Sequence, residues 1–112
     1  SGLFNNLKSL SHLILSSNEL VKLEKNLFNN TINLTMLYLD QNKLKYLYPE
    51  NFKNLVNLEE IRLNNNLIDD LDIYSILKNK KIKKLWLDNN RLRILNGSSF
   101  NNGEIKQISL SD

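Results

Sequence analysis

Three side chains suited to molecular recognition recur at equal intervals along this chain: Tyr38, Arg62 and Trp86 are each separated by 24 residues. Tyrosine, arginine and tryptophan are enriched among the residues that dominate the binding energy of protein interfaces. If the chain returns to a neighbouring position every 24 residues, Arg62 would lie between two aromatic rings and stack on both. The pattern predicts a binding surface. The alternative is that the three side chains only stabilise one another across neighbouring strands.

Side chains that carry catalysis or bind metal ions are scarce. The chain has one histidine, His12, no cysteine and no glycine-rich phosphate loop. Its largest group of carboxylates comprises Asp69, Asp70 and Asp72. No spacing typical of metal ligands is present. We therefore predict that the protein is not an enzyme and uses no cofactor.

The charge distribution bears on the kind of partner. A net charge of +3 with 24% charged residues is too mild to indicate a nucleic-acid partner. A basic run lies close to the acidic group and comprises Lys78, Lys80, Lys81, Lys83 and Lys84. Such a run can contact sulfated glycans or acidic partners, or it can be a solvated flank. No apolar stretch reaches the roughly 18 residues of a membrane span, so this segment is expected to make no membrane contact.

An internal repeat underlies the spacing. Leucine occurs 24 times and asparagine 20 times, whereas glycine (3) and proline (1) are scarce for a chain that must turn often. The motifs LSHLILSSNEL, LTMLYLDQNKL, LEEIRLNNNLI and IKKLWLDNNRL recur, and IKQISLSD begins a further copy. The predicted repeats span residues 10–33, 34–57, 58–81, 82–104 and, in part, 105–112, with residues 1–9 as the tail of a preceding repeat.

A phenylalanine column accompanies these motifs, formed by Phe4, Phe28, Phe52 and Phe100, with Ile76 in its place once. The pattern LxxLxLxxNxL followed by LxxxxF resembles the leucine-rich repeat, in particular the 24-residue type of Toll-like receptor ectodomains, Slit-like guidance proteins and insect secreted immune proteins. The resemblance covers essentially the whole chain. It implies an α/β leucine-rich-repeat solenoid of about 4.5 repeats. A curved parallel sheet would form its concave side, and irregular or short helical segments its convex side.

Each motif predicts a strand with one open face. In Leu13-Ile14-Leu15 the leucines point to the core and Ile14 points out. Parallel sheets covered on both faces read as continuous apolar runs, so the alternation indicates an exposed concave face, where solenoids usually bind. Exposed Trp and Met on a sheet favour binding, because such apolar surface is unusual without a partner. The predicted partner-binding residues are Met36, Tyr38, Asp40, Glu60, Arg62, Asn64, Lys84, Trp86 and Asp88.

An asparagine column follows the strands and comprises Asn18, Asn42, Asn66 and Asn90. The backbone N–H and C=O groups of buried turns need hydrogen-bond partners. An asparagine side chain offers an acceptor and donors together, so stacked copies can bond the turns of neighbouring repeats. We interpret this column as a structural ladder rather than as a ligand-binding site.

Three glycosylation triplets begin at Asn29, Asn33 and Asn96, all predicted to lie in return loops. Glycans at these positions would leave the concave face clear. Neither end of the chain resembles a cap, so we expect an internal piece of a longer array. By resemblance, we expect an extracellular recognition scaffold from a receptor ectodomain or a secreted, innate-immune type of protein. Its partner would be a protein ligand or co-receptor, with the basic run available for glycan contact. The alternatives are an intracellular adaptor and a pathogen surface adhesin.

Overall fold

The computed structural model describes residues 9–69 and 81–92, together with the backbone of residues 107–109. Its regular structure is a series of three-residue strands, namely β1 (His12–Ile14), β2 (Met36–Tyr38), β3 (Glu60–Arg62), β4 (Lys84–Trp86) and β5 (Gln107–Ser109). The strands form one parallel sheet in chain order, and the first four pair with an offset of 24 residues. The predicted leucine-rich-repeat solenoid is confirmed.

Each strand begins one residue earlier than the alternation of leucines suggested. His12 pairs with Met36 in the register of β1 and β2, so the strand runs from His12 rather than from Leu13. The pairing begins there because the backbone N–H groups of Thr35 and Met36 both donate to Ser11 O, at 2.8 and 3.2 Å. The inward and outward assignment of side chains is unchanged, because the sequence already predicts Met36, Glu60 and Lys84 on the open face.

The core lies behind the sheet and is formed by the leucine columns. Leu37, Ile61 and Leu85 occupy one register position and are at most 1% exposed. Burial of each such side chain contributes roughly 1.5–3 kcal/mol to the stability of the fold. Leu13 and Leu15 are only partly buried. They belong to the first described repeat, or rung, of the solenoid, and another described rung covers it on one side alone.

The return side is irregular, as expected, with one short 3-10 helix at Pro49–Asn51 among the described residues. Phe28 and Phe52 are buried and close the core from this side, whereas Phe4, Ile76 and Phe100 lie outside the described residues. None of the helices in the described ranges is long and apolar enough to span a bilayer.

Asn51 joins two rungs on the return side. It is 1% exposed, and its amide donates to Glu24 O at 2.7 Å and to Lys25 O at 3.4 Å. Its side-chain oxygen accepts from the backbone N–H of Tyr48 at 3.0 Å. Sequence reasoning missed this residue because the same position in other repeats carries no asparagine.

The turns that leave the strands use left-handed backbone at residues other than glycine, which explains how the chain turns with so little glycine. Ser17, Gln41, Asn65 and Asn89 occupy the same position in successive repeats and have φ of 57–61°. Asparagine tolerates this region because its short side chain bonds locally, whereas serine and glutamine are less well suited. The conformation directs the backbone N–H toward the next rung, as in the 3.0 Å bond from Gln41 N to Asn64 O.

Candidate partner-binding face

Four side chains from three adjacent strands meet on the open face of the sheet. We call Tyr38, Glu60, Arg62 and Trp86 the concave cluster. Tyr38, Arg62 and Trp86 occupy one register position on β2, β3 and β4. The guanidinium carbon of Arg62 lies 4.2 Å from the centroid of the Tyr38 ring and 5.1 Å from that of the Trp86 ring. The positive charge of Arg62 is therefore held against two aromatic rings, one on each side.

Glu60 is the acceptor shared by the other three members. Its Oε2 accepts from Trp86 Nε1 at 2.9 Å and from Arg62 Nε at 3.1 Å, and its Oε1 accepts from the Tyr38 hydroxyl at 3.1 Å. Glu60 and Arg62 are two residues apart on β3, so their side chains lie on the same face. The sequence placed Glu60 on this face but did not indicate its role, because side-chain conformations cannot be read from repeat spacing.

The cluster fixes the protonation of two of its members. Burial raises the pKa of Glu60, but the hydrogen bonds from Arg62, Trp86 and Tyr38 outweigh it and hold the pKa below the usual value of 4.5. Burial, and then the hydrogen bond to Glu60, raise the pKa of Tyr38 above its usual value of 10.0. At neutral pH Glu60 is therefore an anion and Tyr38 a neutral donor, which matches the geometry.

Within the ion pair of the cluster, Arg62 is more exposed than Glu60. The Arg62 side chain is 39% exposed, whereas that of Glu60 is 12% exposed. Within the described part of the chain, Arg62 makes its only hydrogen bond through Nε. Its terminal amino groups remain available to a bound molecule.

Met36 and Trp86 are half-buried, which corrects the expectation that they are exposed. Trp86 loses exposure because it packs against Arg62 and bonds Glu60. The most exposed apolar side chain of the face is instead Ile14, which is 62% exposed and lies beside Tyr38 in register.

A polar column lies beyond the concave cluster. Asp40 is 9% exposed and accepts a hydrogen bond from the Ser16 hydroxyl at 2.7 Å. Asn64 and Asp88 follow on the next two rungs, each with one buried side-chain oxygen that accepts no hydrogen bond from the described residues. Lys84, at the other edge of the face, is exposed. The predicted binding residues thus lie on one face, although whether they bind a partner stays a prediction.

The asparagine column has the geometry of a ladder between rungs. Asn42 donates to Leu15 O and Leu39 O at 3.0 Å each, and accepts from the backbone N–H groups of Asn18 and Leu20 at 2.9 Å each. Its amide therefore bonds both its own rung and the preceding one.

Asn66 and Asn90 repeat this arrangement, with amide bonds of 2.9–3.0 Å to carbonyls of their own and the preceding rung. Asn18 differs from them. Its side chain is exposed, and among the described residues its amide donates only to Ser16 O in its own rung, at 3.2 Å, because no described rung lies on its outer side.

The remaining sequence features lie away from the open face or outside the described residues. Asn29 and Asn33 are exposed in the return segment, whereas Asn96 lies outside the described residues. In the basic run, Lys81 donates to Asn57 Oδ1 at 2.7 Å and Lys83 lies 3.9 Å from Glu59 Oε1. Lys78 and Lys80 lie outside the described residues, as do Asp70 and Asp72. In the ranges that can be described, no three His, Cys, Asp or Glu side chains are grouped to hold a metal ion.

Three solved structures share this architecture. The leucine-rich repeat domain of APL1B superimposes with a TM-score of 0.85 at 21% identity, covering 99% of this chain and 33% of that one. Internalin C2 of Listeria monocytogenes gives 0.69 at 18% identity, covering 96% and 54%. A leucine-rich repeat protein of Leptospira interrogans gives 0.68 at 26% identity, covering 97% and 33%. The present chain therefore spans between a third and about half of the structures it matches.

No curated protein sequence matches this chain significantly. A family model does match, and it is described as leucine rich repeat and covers residues 8–68, more than half of the chain. The 24-residue register of the sheet and the asparagine ladder agree with that match. This chain belongs to the leucine-rich repeat family.

Proposed function

We propose that this chain is a protein-recognition scaffold, part of an extracellular receptor ectodomain or a secreted protein, that binds a protein ligand or co-receptor through its concave face. Leucine-rich repeats generally mediate protein–protein interactions and are typically non-enzymatic. The observation that carries the proposal is Arg62, fixed between two rings and still 39% exposed. A preorganised, partly exposed arginine flanked by aromatic rings has the composition of an interface hot spot.

The competing view is that the concave cluster only stabilises the sheet. Its internal hydrogen bonds to Glu60 are consistent with that role. Two features support binding in addition. Ile14 leaves 62% of its surface exposed beside the cluster, and the terminal amino groups of Arg62 make no bond within the described residues. A purely structural cluster would gain nothing from either feature.

Binding can be tested with peptides selected from a random 12-residue phage-displayed library on the full chain. The Kd of a selected peptide is then measured for wild type and for Trp86→Ala. We expect a loss of tenfold or more, about 1.4 kcal/mol, because Trp86 forms one wall of the cluster. Circular dichroism must show that the variant is folded. A loss below about 0.5 kcal/mol would remove Trp86 from the binding site.

The extracellular assignment rests on the resemblance of the 24-residue repeat to extracellular proteins. The triplets at Asn29 and Asn33 add support, since both asparagines are exposed on the return side, away from the open face. Secreted expression in mammalian cells followed by glycosidase treatment and mass spectrometry tests it. Glycan on Asn29 or Asn33 that leaves peptide binding unchanged supports the proposal. An unmodified secreted chain would favour the intracellular adaptor. The adhesin alternative is kept because two of the structural relatives come from bacteria.

A further inference from the structure

We infer that the concave face recognises an aspartate or glutamate side chain of its protein partner, which contacts the Arg62 guanidinium. A nearby apolar residue of the same partner packs against Ile14. This inference rests on the proposed function and deepens it by naming the chemistry of the partner. It depends on the orientation of Arg62, on the charges around it and on the distance to Ile14.

Arg62 is oriented for a planar anion. Its Nε is committed to Glu60 at 3.1 Å, and its guanidinium carbon is held within 4.2 and 5.1 Å of the two ring centroids. These contacts leave the terminal amino groups as the donors still available. Two parallel N–H donors match the two oxygens of a carboxylate, which is why arginine is favoured for bidentate recognition. Because the side chain is already ordered, little conformational entropy remains to be lost on binding.

The ion pair within the cluster presents its positive end to the solvent. Both oxygens of Glu60 are occupied by donors, and the side chain is 12% exposed against 39% for Arg62. Lys84 pairs in register with Glu60 and is exposed, so a second cation lies on the same side. An incoming carboxylate therefore meets the cations rather than Glu60.

Two carboxylates in the polar column beyond the concave cluster would disfavour an acidic residue of the partner. Asp40 is 9% exposed and already bonded to the Ser16 hydroxyl, so its charge is largely withdrawn from the surface. Asp88 has one oxygen buried and lies two residues beyond Trp86. Asp88 should weaken the binding of an acidic residue. Neutralising Asp88 should therefore tighten binding, whereas loss of Arg62 should weaken it.

The apolar contact has a defined distance from the acidic one. Ile14 and Arg62 are two strands apart at the same register position, which corresponds to about 10 Å. An extended segment covers that span in two to four residues, at about 3.3 Å per residue. The partner segment should thus carry an acidic residue and an aliphatic or aromatic residue two to four positions apart.

The same phage library distinguishes this inference from general binding. Selection on the wild-type chain should enrich peptides that contain Asp or Glu near an apolar residue. Changing that acid to its amide should weaken peptide binding to the wild-type chain at least tenfold. The same change should weaken binding to Arg62→Gln less than twofold. Arg62→Lys, which keeps the charge and loses the planar fork, should retain only part of the affinity. Asp88→Asn should tighten binding, and Arg91→Gln, an exposed arginine beyond the sheet, should leave it unchanged.

The outcomes separate the inference from the proposed function. Peptides that lose affinity on Trp86→Ala but carry no acidic residue, or that bind Arg62→Gln as tightly as wild type, would overturn the carboxylate inference and leave the binding face in place. Enrichment of Lys or Arg in place of Asp and Glu would overturn it as well. Selected peptides that are indifferent to every concave substitution would overturn both.

Discussion

The indole N–H of Trp86 donates to Glu60 at 2.9 Å, joining residues 26 positions apart in the sequence. The bond runs diagonally from β4 to β3, and the same carboxylate also holds Arg62 and the Tyr38 hydroxyl. One side chain thus ties three consecutive rungs together on the face that the fold leaves open. Trp86 is the only tryptophan in the chain, so its indole is a specific reporter of this arrangement.

Glu60→Gln tests the carboxylate at the centre of the concave cluster. We expect the free energy of unfolding at pH 7 to fall by about 1–3 kcal/mol, because hydrogen bonds to a charged acceptor are stronger than those to an amide. Urea unfolding at pH 7 measures the difference. Unfolding free energies equal within error for the two proteins would contradict the central role of Glu60.

The contribution of Glu60 should also depend on pH in a defined direction. Its pKa in the folded chain lies below the usual value of 4.5, so its charge stabilises the fold above pH 4.5. That stabilisation is lost as the pH falls through the folded pKa. The difference between wild type and Glu60→Gln should therefore shrink in acid, and the NMR shift of the indole N–H should titrate in wild type alone. A difference that stays constant from pH 7 to pH 3 would argue against this linkage.

Tyr38→Phe removes one donor to Glu60 and keeps the ring beside Arg62. We expect a loss of about 0.5–1.5 kcal/mol of unfolding free energy, the usual worth of a single hydrogen bond. Tyr46→Phe is the matched control, since Tyr46 is 40% exposed and lies away from the open face. Thermal and urea unfolding of the two variants should differ. Equal stabilities would mean that the Tyr38 hydroxyl contributes nothing.

Asn42→Ala removes a side chain that bonds two rungs. The buried Leu39 O and the partly buried N–H of Leu20 would lose this partner, so we expect a cost of about 1–3 kcal/mol. Asn26→Ala is the control because Asn26 is exposed and lies outside the ladder. Asn18→Ala should cost less than Asn42→Ala, since the Asn18 side chain is exposed and, among the described residues, its amide donates only within its own rung. If the three variants unfolded at the same urea concentration, the ladder would not be a source of stability.

Gln41→Asn should stabilise the chain. Gln41 has φ of 57°, a region that costs an ordinary residue about 1 kcal/mol and that asparagine tolerates better. We expect a gain of about 0.5–1 kcal/mol in unfolding free energy, reduced slightly by loss of the exposed 3.1 Å bond from Ser17. Lys45→Asn, at an exposed position without positive φ, should give no gain. A destabilised Gln41→Asn would show that the bond outweighs the backbone strain.

Much of this fold could be predicted because spacing alone determines it. A 24-residue period places Tyr38, Arg62 and Trp86 side by side whatever the details of the return segments, and the structure has them in register. The alternation of leucines likewise separates the core from the open face, because strand side chains alternate. The asparagine column followed from the need of turns for hydrogen-bond partners.

What the sequence did not indicate depends on side-chain conformation and on contacts found in one repeat only. Glu60 serves three donors because of the particular directions its neighbours take, and no period encodes those. Asn51 bonds the preceding rung from a position that is not asparagine elsewhere. The half-burial of Trp86 follows from the same contacts, so exposure expected from residue type alone was too high.

The most direct test of the central claim uses two matched aliphatic residues on opposite sides of the solenoid. Ile14 on the open face is 62% exposed and Val56 in the return segment is 59% exposed, so changing each to serine should cost little stability. Calorimetric Kd values are measured for both variants with peptides selected on the wild-type chain. If the concave face binds the peptide, Ile14→Ser weakens binding at least fivefold, which is a loss of about 1 kcal/mol in binding free energy. Val56→Ser leaves the Kd within twofold of wild type. Weakening by Val56→Ser with Ile14→Ser unchanged would place the binding site on the other side and contradict the account.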